Sequence, residues 1–125
     1  MAVSGIVTAE REAVVRLVVL GPVHHETSAE VEAVLDTGFT GHLTLPPEVV
    51  AELELPLLGS RNSVLANGGR VALDVYRARV LWDGRRRPVE VLATGGGALA
   101  GMSLIWGHWV NLSATEDGEV VIELL

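Results

Sequence analysis

Apolar runs of Val, Leu and Ala alternate with charged positions along this chain, and Gly, Pro, Asn and Asp cut them at short intervals. Such a pattern predicts short strands joined by tight turns. Residues 12–20 form a Val-rich strand that Gly21-Pro22 ends. Residues 24–28 are polar and predict a connecting turn. Residues 30–35 alternate, with Val31, Ala33 and Leu35 on one side and Glu30, Glu32 and Val34 on the other. That period of two predicts a strand with one buried face, running directly into Asp36-Thr37-Gly38. Leu43 and Leu45 predict a second short strand. Pro46-Pro47 and Glu48 then predict a short helix over residues 48–53, because proline suits the first helical turn and an acid suits its positive end. Residues 57–61 read as a loop.

Residues 63–66 and 70–80 flank Asn67-Gly68, a strong hairpin signal because both turn residues accept positive φ. Asp83-Gly84 marks another hairpin, with residues 76–82 and 88–93 as its arms. Gly95-Gly96-Gly97 breaks the chain. Residues 98–109 are apolar and read as partly helical. Residues 110–113 and 119–124 predict a last hairpin, turning near Asp117-Gly118. The expected fold is mainly β, a small barrel or sandwich with one or two short helices. No internal repeat or linker interrupts residues 1–125, so a single domain is expected.

Composition narrows the function classes. Hydrophobic residues make up 49% of the chain, which opposes disorder, while aromatic residues make up only 4%, which leaves Val, Leu and Ala to build the core. The formal net charge of -7 disfavours a nucleic-acid surface, which needs a basic stripe. With no cysteine, disulfide and thiolate chemistry are excluded, and a cytoplasmic location is expected. The first sixteen residues lack a basic end followed by a long apolar stretch, so no signal peptide is expected. Residues 94–115 carry no Asp, Glu, Lys or Arg, which raises a membrane span. Their glycines, His108, Asn111 and two serines suit a buried core with a glycine turn better.

The candidate chemistry sits at Asp36. An acid that closes an apolar strand carries its carboxylate out of the core. Thr37 can donate and accept through its hydroxyl, and Gly38 lets the backbone turn sharply or lets another chain approach. The same three residue types also make ordinary turns. The surrounding segment, VEAVLDTGFTGHLTLP over residues 31–46, resembles the active-site segment of retropepsin-like aspartic peptidases, especially the small bacterial single-domain ones. Further features follow in the same order. Asn67-Gly68-Gly69 lies where that family has its flap, Leu99-Ala100-Gly101 resembles its two-hydrophobes-then-glycine motif, and residues 110–124 match its closing hairpin.

This resemblance implies an acid-protease-like closed barrel with one Asp-Thr-Gly lobe per chain. It implies a homodimer with the cleft on the twofold axis, since one motif per chain supplies one carboxylate and a C2 interface repeats it. In aspartic peptidases as a class, two carboxylates about 3 Å apart share a proton and titrate as a pair. The implied reaction is hydrolysis of a peptide bond by a water that one Asp36 deprotonates while the other polarises the scissile carbonyl. No cofactor or metal is implied. Thr37, Gly38, Leu99, Ala100 and Gly101 would support the active-site loop. Gly38, Thr40, Ala66, Asn67, Gly68 and Gly69 would contact a peptide or protein substrate under a closing flap. The chain departs from the retroviral pattern at Thr40, where an acid holds substrate backbone, and at Ser103, in place of a common Asp or Asn. Ala100 is also smaller than the usual branched residue. These departures motivate a rival reading, a non-catalytic module that holds a peptide or partner strand on the same fold. A third reading makes the chain an antitoxin-like or structural partner and Asp36 a turn residue.

Other clusters point elsewhere with less force. His24-His25-Glu26 lacks the spacing of a zinc site, since neighbours on an extended segment face opposite ways. His42, close to Asp36 in sequence, is expected to cap a strand rather than tune a cleft, and His108, between Trp106 and Trp109, to be structural. Arg85-Arg86-Arg87 reads as a solvated hairpin tip. Gly95–Gly97 precedes no Gly-Lys-Ser/Thr element, and no Ser lies in a nucleophile motif.

Overall fold

The computed structural model describes residues 3–64 and 67–125. The protein is mainly β, with a closed six-strand barrel and two short helices. The strands are β1 (Val3–Val7), β2 (Ala13–Leu20), β3 (Ser28–Leu35), β4 (Leu43–Leu45), β5 (Leu57–Val64), β6 (Arg70–Trp82), β7 (Arg85–Ala93), β8 (Ala98–Ala100), β9 (His108–Leu112) and β10 (Glu119–Leu124). The helices are α1 (Pro47–Glu52) and α2 (Met102–Ile105). The ten strands among the described residues form one sheet in the order β5-β6-β7-β4-β8-β3-β2-β1-β10-β9. A further pairing, Val19↔Val80 and Leu20↔Arg79, joins β2 to β6 and closes the barrel. The segment of residues 94–115 is divided among β8, α2 and β9. No helix among the described residues is long and apolar enough to cross a membrane.

Alternation decides which side chains fill the barrel. Along β2, Val15, Leu17 and Val19 are fully buried while Arg16 is exposed. Leu43, Leu45, Val80, Val91 and Leu104 meet them, and Val120 and Ile122 extend the core beneath β10. Strand β6 has two tasks. Its second half closes the barrel against β7 and β2, whereas its first half pairs with β5 in an arm whose residues are mostly exposed. The Asp83-Gly84 turn is the expected two-residue hairpin, with φ of 52° and 78° and Trp82↔Arg85 as the last register pair.

Several sequence expectations need correction. Residues 57–61, read as a loop, belong to β5. The arm lies outside the barrel, so its polar residues leave no burial pattern to read. Strand β7 begins at Arg85, so the three arginines lie on a strand; Arg85 and Arg86 are solvated as expected, whereas Arg87 is half-buried. Residues 98–109 are partly helical as expected, through the four-residue α2, but they also contain β8 and the start of β9 on either side of it. Strand β1 gave no sequence signal, because Gly5 interrupts it. In the fold Gly5 is required by close approach, since a Cβ there would stand 2.1 Å from the Val14 carbonyl oxygen.

Strand β8 lies between β3 and β4, parallel to the first and antiparallel to the second. Thr44 is the buried polar side chain at this junction, and its Oγ1 accepts the Leu99 N–H at 2.9 Å. Replacing that acceptor leaves the amide without a partner, so Thr44→Val is expected to cost about 1–3 kcal/mol in urea unfolding and Thr44→Ser much less. A wild-type midpoint in Thr44→Val would mean that the bond contributes nothing to the junction.

Candidate active site

Residues 36–42 must cross the end of β8, because they join β3 to β4 on its two sides. The crossing is tied to the chain that leaves β8. The Asp36 N–H donates to the Ala100 carbonyl at 2.9 Å, and the Gly101 N–H donates to the His42 carbonyl at 3.0 Å. The Met102 N–H reaches the Phe39 carbonyl at 2.8 Å and the Ser103 N–H the Gly41 carbonyl at 3.1 Å. The Ser103 hydroxyl donates to the Thr40 carbonyl. Ser103 therefore supports the loop directly.

Glycine makes this approach possible. A Cβ on Gly101 would lie 2.3 Å from the Gly41 carbonyl oxygen and 2.5 Å from the Phe39 ring. A Cβ on Gly41 would lie 2.6 Å from the same ring. Phe39 thus packs over two bare backbones, half-buried, and anchors the loop beside α2.

Asp36 ends up half-buried with Thr37 and Gly38 exposed beside it. Its Oδ1 accepts the Gly38 N–H at 2.8 Å, and no other donor engages this carboxylate among the described residues. A Cβ at Gly38 would stand 3.1 Å from that oxygen. Thr37 borders an open hollow shared with Met102, Ile105, Trp106, Val110 and Leu125. Thr40 borders a second hollow with His42, Ser103 and the same Met102 and Trp106.

The structure brings Asp36, Thr37, Gly38, Thr40, Ala100 and Gly101 into one loop cluster, with Leu99 behind it on Thr44. Among the described residues, no hydrogen bond joins the arm to that cluster. Asn67, Gly68 and Gly69 form the tip, where the Gly69 N–H donates to Asn67 Oδ1 at 2.8 Å and Gly68 has φ of 84°. No hydrogen bond links this tip to the Asp36 turn among the described residues. Ala66 lies outside the described residues.

Surrounding side chains carry their own electrostatics. His42 is half-buried and its Nδ1 accepts the Glu90 N–H at 3.4 Å. Burial pushes its pKa down, and the nearby Arg87 charge pushes the same way while Glu90 opposes. Burial also lowers the pKa of Arg87. His108 is fixed at both ring nitrogens: Nε2 accepts the Trp82 indole N–H at 3.0 Å, so Nδ1 is the protonated nitrogen that donates to the Trp106 carbonyl at 2.9 Å. Glu26 is held by Arg86 and Arg79, and the Arg86 hydrogen bond is the main reason its pKa falls. The sequence reading missed Thr44, Gly41 and Arg87. Gly41, two residues beyond Phe39, was the one with a visible signal.

Comparison with models of known families, with curated proteins and with solved structures returns no match for this chain.

Two outcomes follow from this geometry. Gly101→Ala is expected to destabilise the fold by roughly 1–3 kcal/mol through overpacking against backbone that cannot move aside, read as a lowered urea midpoint. The His42 pKa lies below its ordinary 6.5 in the fold, so the unfolded chain binds more protons between the two values. Stability therefore falls as pH drops below about 6.5 towards the folded pKa. In His42→Asn, which keeps an acceptor for Glu90, that part of the slope should vanish in urea titrations at pH 7.5 and 5.5. An unchanged slope would assign the pH dependence to other groups.

Proposed function

We propose that the chain is one half of an aspartic endopeptidase, completed by a second copy. The observation that carries this reading is the Asp36 turn itself. Its carboxylate is ordered by Gly38, is left half-open, and stands on a loop tied by backbone bonds to Ala100–Ser103. Such a mount holds a reacting group in fixed geometry while leaving one oxygen free to act.

A single carboxylate performs half of the chemistry. In the proposed dimer two Asp36 side chains face each other and share one proton. The ionised member takes a proton from water, the water oxygen attacks the peptide carbonyl, and the protonated member stabilises the developing oxyanion. Collapse transfers a proton to the leaving amine, and no acyl-enzyme forms. Thr37 and Gly38, both exposed, would meet their counterparts across the axis. Large apolar side chains stand uncovered near the hollow that Thr37 borders: Trp106 is 72% exposed and Leu125 82%. Burying them against a symmetric copy removes that area from water. The arm tip at Asn67–Gly69 would then cover a bound peptide.

A second reading, peptide capture without hydrolysis, draws on β5. It stands at the end of the sheet order, and among the described residues no strand pairs with its outer edge, where an extended peptide could add.

Wild type and Asp36→Asn are to be incubated at high concentration with a diverse peptide library, from acidic to neutral pH, with cleavage read by mass spectrometry. Cleavage by wild type alone is the expected result. Binding without cleavage by either protein would favour the capture module. Sedimentation should show a concentration-dependent dimer that Trp106→Glu weakens at least about tenfold, the scale of an interface anchor. A strictly monomeric wild type, with and without peptide, would sink the shared-site model.

A further inference from the structure

Arg87 lies on β7, opposite Val80, and does not behave like its neighbours. Arg85 and Arg86 are exposed, and Arg86 pairs with Glu26. Arg87 is half-buried, and no ion pair holds it among the described residues. Its Nη1 donates to the Leu104 carbonyl and its Nη2 to the Ser103 carbonyl at 3.0 Å. Its guanidinium stands 5.6 Å from the centre of the Trp82 ring, whose indole N–H is bound by His108. Two hydrogen bonds and one ring contact thus surround this cation.

The partners of Arg87 belong to α2, whose last carbonyls have no helical partner because four residues close almost no internal bonds. The amides at the other end of α2, Met102 and Ser103, donate to the Phe39 and Gly41 carbonyls of the Asp36 loop. One short helix therefore has loop carbonyls on its amide end and a cation on its carbonyl end. Both contacts suit the direction of its dipole. Ser103 belongs to both: its carbonyl accepts Arg87 while its hydroxyl holds Thr40.

We infer that Arg87 is a positioning residue for Asp36, acting through α2 to hold the 36–42 loop against the end of β8. The planar guanidinium reaches two carbonyls at once, which a lysine ammonium cannot reproduce in the same geometry. The consequence for catalysis rests on the peptidase reading above, whereas the consequence for the loop does not.

The test compares wild type with Arg87→Met, Arg87→Lys and, as a control on the same strand, Arg85→Met. Native-state amide exchange is followed at Gly101, Met102 and Ser103, with global stability measured alongside, and kcat and KM are measured on a peptide that wild type cleaves. Arg87→Met should exchange these amides at least about tenfold faster while distant core amides in β2 keep their rates, since a charged hydrogen-bond pair has been lost locally. Its kcat should fall on the order of a hundredfold with KM nearly unchanged, the signature of a misplaced reacting group. Arg87→Lys should recover part of both effects, and Arg85→Met should match wild type. Wild-type exchange at the three amides in both Arg87 variants overturns the inference, as does faster exchange that rises equally in β2. If Arg87→Met does not fold, Arg87→Lys carries the same comparison. An inactive wild type whose variants still show the local exchange pattern would remove the peptidase reading and leave the positioning of the loop standing.

Discussion

The insertion of β8 between β3 and β4 constrains everything near Asp36. These two strands are successive in the chain, yet a strand from more than fifty residues later pairs with both. The connection between them has to pass over the end of β8. Close passage of two backbones leaves no room for side chains, so Gly41 and Gly101 stand at the crossing and Phe39 fills the space they leave. The backbone donors and acceptors displaced from the ladder are then satisfied between the loop and α2, as buried main-chain groups require.

This crossing separates a rigid side from an open one. On the rigid side, Thr44, Ser103 and Arg87 bind main-chain groups of β8, the loop and α2. On the open side, Thr37, Gly38 and Thr40 face outward, with Trp106 between two hollows. The arrangement places a carboxylate at the surface without giving its loop freedom to wander. No hydrogen bond ties the β5–β6 arm to this cluster among the described residues. Its β5 strand is almost wholly exposed, which is where low local stability is expected.

Much of the framework was legible because it is written in local chemistry. Period-two alternation marked β3, the Asp83-Gly84 pair fixed its hairpin turn, and Pro46-Pro47 with Glu48 marked α1. Asp36-Thr37-Gly38 was visible as an acid at a strand end followed by a glycine turn. The first part of β5, residues 57–61, was not visible, since it buries little and so has no apolar face to betray it. Strand β1 was hidden by a glycine whose role depends on neighbours nine and ten residues away, Val14 and Val15. Arg87 was hidden for a different reason. In sequence it is one of three identical cations, and only the position of α2 distinguishes it.

By itself, then, the amino-acid sequence determined the β character, the turns, and the place of the carboxylate on the chain, because each depends on residues within a few positions of one another. The tertiary structure alone decided which strand lies between β3 and β4, which backbone groups hold the Asp36 loop, and which arginine faces inward. Those outcomes depend on pairing between segments far apart in the chain, and a period or a turn signal carries no information about its distant partner.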